Sequence, residues 1–359
     1  MNLVGPQFIL FSVKEVEMNN LKVAIIGAGA WGGALANVLA DNGHLPMIWS
    51  VSEPEIIEIN TKKQINALAK KQIHHELHEN ISGTTELEEA VKNTDYILMA
   101  VPSFAFRQVA EKINNLIDTP VTFISATKGL EKNTHFTMCE IIEDVIDDAK
   151  LNGVVALSGP THAEEVIRRK ITAIVSAYND ITIAKSVQRL FNNSKYFRVY
   201  TNRDRKGVEI AAALKNVIAV ISGMHTEYDL GDNAKAALIT RGLFEIVKIG
   251  CAFGGEERTF SGLAGLGDLI VTTTSHHSRN FQAGRLLARN SSVLEVEKQM
   301  GATIEGFHAI YAANEIILKY DIYAPLISLL YDVITEKIST SDAIKELFNR
   351  EMKDEFQYQ

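Results

Sequence analysis

One lysine stands where no neighbour along its own helix can neutralise it. Lys215 lies in the run Val-Glu-Ile-Ala-Ala-Ala-Leu-Lys-Asn-Val-Ile-Ala-Val-Ile at 208–221, and its helical neighbours three and four residues away are Ala211, Ala212, Ile218 and Ala219. An ammonium on an apolar helix needs a partner, water or a ligand. Partial desolvation lowers its pKa towards neutrality, which suits general acid–base work. The plainer alternative is a lysine on a solvated stripe. A glycine-dense loop, Gly-Leu-Ala-Gly-Leu-Gly-Asp at 262–268, delivers one carboxylate to a helix start. Asp268 there either orients Lys215 and a substrate hydroxyl or merely caps its helix.

Three further places carry charge or free N–H groups next to apolar runs. Lys128 follows Val-Thr-Phe-Ile-Ser-Ala-Thr at 121–127, at a strand's carboxyl edge, where open α/β sheets bind ligands. It holds a phosphate, polarises a carbonyl or is a surface loop lysine. Ser-Gly-Pro-Thr-His-Ala at 158–163 is a strand end, a tight turn and a helix start that offers N–H groups to an anion. Ser278-Arg279-Asn280 supplies a guanidinium and an amide, a phosphate-grasping set unless the arginine is simply a surface one.

The strongest local pattern is Val-Ala-Ile-Ile-Gly27-Ala-Gly29-Ala30-Trp31-Gly32. An apolar strand runs into G-x-G-x-x-G and then into a helix, the arrangement that brings backbone close to a pyrophosphate at a helix N-terminus. The expected ligand is a dinucleotide. After the second strand, Glu53 is placed either to accept from a ribose 2′-hydroxyl, favouring NAD, or to sit in the first turn of a helix behind Ser52. Two histidine groups are decoys. His74-His75-Glu76-Leu77-His78-Glu79 has no His-Glu-x-x-His register and reads as a solvated helical face, and His276-His277 reads as loop. No metal site is expected.

These residues need a scaffold, and the first half supplies one by alternation. Apolar runs at 22–26, 45–50, 96–101, 121–126, 154–158 and 171–176, with a weaker one at 196–200, alternate with helical patterns such as 31–42, 104–115 and 136–148. Continuous Val, Ile and Leu runs are what strands buried on both faces look like, so an open, doubly wound parallel sheet is expected. Beyond about residue 206 the pattern is helical: 207–224, 235–253, 279–289, 292–300, 304–320, 323–335 and a short stretch at 341–349. The division expected is an extension at 1–20, a dinucleotide-binding domain at 21–206, an all-helical catalytic domain at 207–350 and a tail at 351–359.

Composition excludes several classes. With 46% hydrophobic and 22% charged residues the chain has the material for a large core, so it is neither disordered nor fibrous. Its 44 acidic and 36 basic residues leave a net charge of −8, a poor balance for nucleic-acid binding. Cys139 and Cys251 make no disulfide framework or metal cluster, which fits a reducing compartment. The uncharged stretch at 23–40 is long enough to raise a membrane span, but its glycines fit a phosphate turn better. The reading is a soluble cytoplasmic protein without membrane insertion, a homodimer by default.

Taken in order, Gly27-Ala-Gly29-Ala-Trp31-Gly32, Ala-Thr-Lys128-Gly-Leu, Ser-Gly159-Pro-Thr161, Leu-Lys215-Asn-Val-Ile-Ala, the loop ending in Asp268, Ser278-Arg279-Asn280 and Gly-Ala-Thr303-Ile-Glu305-Gly resemble the bacterial NAD(P)-dependent sn-glycerol-3-phosphate dehydrogenases. The resemblance covers roughly residues 21 to 350. It implies a Rossmann-like domain, and NAD or NADP as cofactor. The implied reaction is reversible hydride transfer between the nicotinamide and C2 of glycerol 3-phosphate, giving dihydroxyacetone phosphate and supplying phospholipid synthesis. By motif position, Lys215 is the proton acceptor and donor at the C2 oxygen, Lys128 lies near both substrate and nicotinamide, and these two with Asp268 form the implied catalytic set. Lys128, Gly159, Thr161, Lys215, Asp268, Ser278, Arg279 and Asn280 contact substrate. Gly27, Gly29, Ala30, Trp31, Gly32, Lys128, Ala163, Arg279, Thr303 and Glu305 line the cofactor. Val51 stands where family members often carry a basic residue, which bears on NADP use, and Ala30 replaces a frequent serine.

Overall fold

The computed structural model describes residues 20–289, 292–350 and 354–355. The expected N-terminal extension and tail lie outside the described residues, apart from Asn20, Asp354 and Glu355. Strands β1 (Lys22–Ile26), β2 (Leu45–Trp49), β3 (Ser82–Thr84), β4 (Tyr96–Met99), β5 (Val121–Ser125), β6 (Leu151–Ser158), β7 (Thr172–Ala177) and β8 (Phe197–Asn202) form one sheet in the order β3-β2-β1-β4-β5-β6-β7-β8. Its helices are α1 (Ala30–Asp41), α2 (Glu53–Lys62), α3 (Asn66–Ala69), α4 (Leu87–Val91), α5 (Ser103–Asn114), α6 (Met138–Val145), α7 (Ala163–Val166) and α8 (Ile181–Phe191). The apolar runs form strands because both faces are covered. Val23 and Ile25 of β1 point into one core cluster, and Ala24 and Ile26 into another on the opposite face.

Three details depart from the sequence expectation. The sheet is not wholly parallel: β6 and β7 pair antiparallel, Leu157 opposite Ser176. The only helix between them, α7, has four residues, too short to return the chain along the sheet for a parallel crossover. Strand β3 has no strand signal in its Ser-Gly-Thr sequence and exists through pairing of Ser82–Thr84 with Met47 to Trp49 of β2. The histidine group at 74–79 is an irregular loop, not a helical face. There, His75 accepts the Ile65 N–H at 2.8 Å and bonds the Ile73 carbonyl at 2.8 Å, tying its ring to backbone groups outside any helix. Among the described residues no group of three or more His, Cys, Asp or Glu is arranged to hold a metal.

From Arg205 the described chain is helical: α9 (Arg205–Glu227), α10 (Asp232–Ala252), α11 (Glu257–Phe260), α12 (Asp268–Thr274), α13 (Arg279–Ala288), α14 (Val293–Met300), α15 (Glu305–Tyr320), α16 (Pro325–Ile334) and α17 (Thr340–Phe348). Helix α9 is the axis. It is long and apolar enough to cross a membrane, yet 94% of its apolar window is buried inside the protein. Asp204 caps it, accepting the Gly207 N–H at 2.8 Å. Helix α13 approaches α9 as closely as backbone allows. A Cβ on Gly284 would lie 1.9 Å from the Val220 carbonyl oxygen, and one on Gly223 would lie 2.0 Å from that of Phe281.

That contact fixes Arg279, at the start of α13, relative to Lys215 on α9. Gly284→Ala forces the two helices apart, and overpacking of this kind costs about 1–3 kcal/mol. Urea unfolding is expected to show a lowered midpoint of that size with an unchanged slope.

Candidate active site

The glycine turn follows β1 at the point where strand order reverses, between β1 and β4. Gly27 has φ +123°, and a Cβ there would lie 2.6 Å from the Ala100 carbonyl oxygen just after β4. A Cβ on Gly32 would lie 2.2 Å from the Gly27 carbonyl, so only glycine lets α1 start this close to the strand. Open space stands over Gly29. Helix α1 begins at Ala30 with no side-chain cap and no acidic residue in its first turn, which leaves its first N–H groups for an anion. The Trp31 indole nitrogen beside it is buried and has no partner among the described residues. Those features fit a dinucleotide pyrophosphate. At the end of β2, Val51 is 82% exposed, and Glu53 opens α2 behind Ser52, the helical one of its two expected placements. Ser50 donates to Glu55 at 2.7 Å, so a second carboxylate lies at this strand end.

Beyond the carboxyl ends of β5 and β6, three charges meet. Lys215 is 4% exposed, and Asp268, which opens α12, is fully buried. Lys215 Nζ donates to Asp268 Oδ1 and, at 2.8 Å, to Thr272 Oγ1. Lys128 Nζ donates to Asp268 Oδ2 at 2.7 Å and to the Gly159 carbonyl at 3.2 Å, with Thr161 Oγ1 at 3.5 Å. Thr272 passes its own hydrogen back to the Asp268 carbonyl at 2.6 Å. Burial pulls the Lys215 ammonium down to about 7; Lys128 adds to that, and Asp268 opposes it. An amine that changes charge near neutrality, held on a carboxylate, is equipped to take and return a proton.

The structure therefore joins Lys215, Asp268, Lys128, Gly159 and Thr161 into one cluster drawn from α9, α12 and two strand ends. The other expected residues surround it. Arg279 is exposed, and no hydrogen bond or ion pair forms to it among the described residues. Ser278 caps α13, its hydroxyl accepting the Phe281 N–H at 3.2 Å. Asn280 accepts the Gly306 N–H at 2.8 Å and donates to Asn216 at 2.9 Å, linking α13, α15 and α9. Ala163 opens α7, and Thr303 precedes α15. Glu305, first in α15, accepts from Ser103 Oγ at 2.7 Å and the Ser103 N–H at 3.3 Å, bracing α15 on the start of α5. Sequence reasoning missed Thr272 and Asn216. Thr272 carried a signal, standing four residues after Asp268 and so on its face of the helix.

Comparison with known proteins settles the family. The family model "NAD-dependent glycerol-3-phosphate dehydrogenase N-terminus" matches residues 22–184, and the corresponding C-terminus model matches residues 204–345. The chain belongs to this family. A glycerol-3-phosphate dehydrogenase [NAD(P)+] of Streptococcus agalactiae is 45% identical over 338 residues, 94% of this chain and 99% of the relative. One from Bacillus mycoides is 45% identical over 335 residues, covering 93% and 97%. A crystal structure of glycerol-3-phosphate dehydrogenase from Coxiella burnetii superposes with TM-score 0.85 at 32% identity, covering 92% of this chain and 99% of that one. A ketopantoate reductase family structure from Ralstonia eutropha, TM-score 0.56 at 16% identity, shares the fold alone.

Within the dehydrogenase cluster, Asp268 is the one carboxylate that pairs with both lysines among the described residues. Asp268→Asn leaves the buried Lys215 and the half-buried Lys128 without their shared counter-charge. Breaking a buried pair in this way costs about 3–5 kcal/mol. Chemical denaturation of the purified variant at neutral pH is expected to show a loss of that order.

Proposed function

We propose that this chain interconverts sn-glycerol 3-phosphate and dihydroxyacetone phosphate with NAD(P), supplying the backbone of glycerophospholipids, with residues 21–206 holding the dinucleotide and 207–350 carrying the base. The observation that carries the reading is the Lys215–Asp268–Lys128 cluster, set like the glycine turn beyond the carboxyl ends of the parallel strands, in a chain of this family. A bound nicotinamide supplies the hydride acceptor or donor at C2. The protein's own residues do the rest. In the oxidising direction the neutral Lys215 amine takes the proton of the C2 hydroxyl while Asp268 holds it in place. In the reducing direction the protonated amine stabilises charge growing on the carbonyl oxygen and gives it the proton.

Phosphate recognition falls to the exposed guanidinium of Arg279, whose planar fork matches phosphate oxygens. Lys128 and Thr161 face the substrate from the sheet side, next to Gly159. An anchor remote from C2 lets binding energy position the reacting carbon. Ser278 and Asn280 serve the site by fixing the start of α13, from which Arg279 projects. Gly27, Gly29, Ala30, Trp31 and Gly32 cradle the pyrophosphate, Val51 flanks the adenosine ribose, and Ala163, Thr303 and Glu305 line the remaining cofactor channel. A cytoplasmic homodimer is the assembly that fits this reading, on the default of closed two-fold symmetry.

Two outcomes test it. Because the amine of Lys215 titrates at about 7, oxidation of glycerol 3-phosphate is expected to rise as pH increases through that value, and reduction of dihydroxyacetone phosphate to fall. Lys215→Ala removes the inflection and lowers turnover roughly 10²–10⁴-fold, with NADH affinity retained, as titration of NADH fluorescence would report. Absent turnover of dihydroxyacetone phosphate by the wild-type chain overturns the assignment. For the cofactor, Val51→Arg places a guanidinium at the end of β2. A charge-assisted hydrogen bond to a 2′-phosphate is expected to raise kcat/KM for NADPH relative to NADH by about tenfold.

A further inference from the structure

His162 lies at the meeting point of three segments that carry the site, although neither its sequence motif nor the proposed reaction gives it a task. Its Nε2 is 3.2 Å from the carbonyl oxygen of Val271. A carbonyl only accepts, so the ring donates from Nε2, which fixes the tautomer of the neutral imidazole. Val271 is in the last turn of α12, where carbonyls have no partner within the helix. A neighbouring carbonyl of that turn, Thr273, is taken up by the Ser222 hydroxyl of α9 at 2.8 Å. The second contact is with His277, whose ring meets that of His162 edge-on at 5.8 Å between centroids and 61°.

Each contact reaches a different part of the machinery. His162 directly follows Thr161, beside Lys128. Val271 adjoins Thr272, the hydroxyl partner of Lys215, and shares its short helix with Asp268. His277 belongs to the loop that ends at Ser278 and Arg279. The charged and titratable groups facing the ring are Lys215, Glu164 and His277; burial, opposed by the Val271 bond and Glu164 and aided by Lys215 and His277, holds the imidazole below its ordinary value. No group of this ring moves a proton in the reaction.

We propose that His162 is a positioning residue that ties the sheet-side substrate loop at 158–162 to helix α12 and to the loop before Arg279, so that the two walls of the cleft meet in one fixed register. The proposal rests on the assignment of the reaction only for its kinetic consequence; the tie itself is structural. In a reaction where misplacement by about 1 Å lowers the rate about a hundredfold, one hydrogen bond between the walls has leverage beyond its own strength.

The test compares His162→Phe, which keeps a ring and loses the donor, with His162→Gln, whose amide nitrogen reaches a similar place. Amide hydrogen exchange of segments 158–166 and 268–281 reads the tie without turnover. Exchange is expected to rise in both segments together for His162→Phe and to stay near wild type for His162→Gln. With dihydroxyacetone phosphate and NADH, kcat is expected to fall about tenfold in His162→Phe, a displacement short of about 1 Å on that scale, and to recover to within about threefold in His162→Gln. KM for NADH stays unchanged in both. Water admitted to Lys215 moves the inflection of the oxidation profile alkaline in His162→Phe alone. Wild-type exchange and kinetics in His162→Phe, equal losses in both variants, or losses that track a lowered Tm and weaker NADH binding overturn the proposal. A wild-type chain without turnover counts against the reaction assignment, while exchange still decides the tie.

Discussion

A single buried carboxylate shared by two lysines sets the terms for the rest of this molecule. Asp268 is fully buried, and each of its oxygens takes one ammonium, Lys215 on one side and Lys128 on the other. Charges removed from water are tolerated only when paired and hydrogen-bonded with good geometry. Such pairing demands that a sheet edge, a long helix and a short helix be held in register, because the three residues come from β5's end, α9 and α12. The same burial pulls Lys215 towards neutrality, so the condition that stabilises the cluster also makes it chemically useful.

The scaffold around the cluster answers that demand through close backbone approach more than through side-chain bulk. Glycines at Gly284 and Gly223 let α13 lie against α9, and Gly32 lets α1 start against the turn after β1. Polar links then fix rotation where apolar packing would leave it free: Asn280 to Gly306 and Asn216, and Glu305 to Ser103. Several residues that resemblance assigned to substrate or cofactor thus also hold one helix start against another. The two tasks are compatible for Asn280 and Glu305. For Ser278, whose hydroxyl already caps α13, the structural task comes first.

Electrostatics divides the cleft. On the nucleotide side stand uncapped N–H groups at α1 and a buried indole nitrogen at Trp31 with no partner among the described residues, with carboxylates at the end of β2. Elsewhere in the site, Lys128 and Lys215 share the single carboxylate of Asp268, and Arg279 is exposed, an excess of cations suited to a small phosphorylated substrate. The net charge of −8 therefore says nothing of the site, whose sign is local and opposite.

The sequence by itself determined the elements and the chemistry of the parts. Several of the strands declared themselves as continuous apolar runs because both faces of the sheet are covered there, whereas β8 alternates buried and exposed residues and showed more weakly; the glycine turn was legible because close approach of backbone to phosphate leaves glycine as the residue that fits. Lys215 was conspicuous because nothing on its helix could pair with it. The sequence left Asp268 either orienting Lys215 or capping its helix, and the tertiary structure decided for the pairing: Asp268 lies fifty-three residues away and Lys128 eighty-seven before it, separations at which no helical or strand period speaks. The same limit hid β3, whose Ser-Gly-Thr has no propensity and becomes a strand through its neighbour, and the antiparallel turn of β7, set by the length of the helix before it. Local patterns are written in short-range sterics and burial; pairings across the fold are written in where the packed helices come to rest.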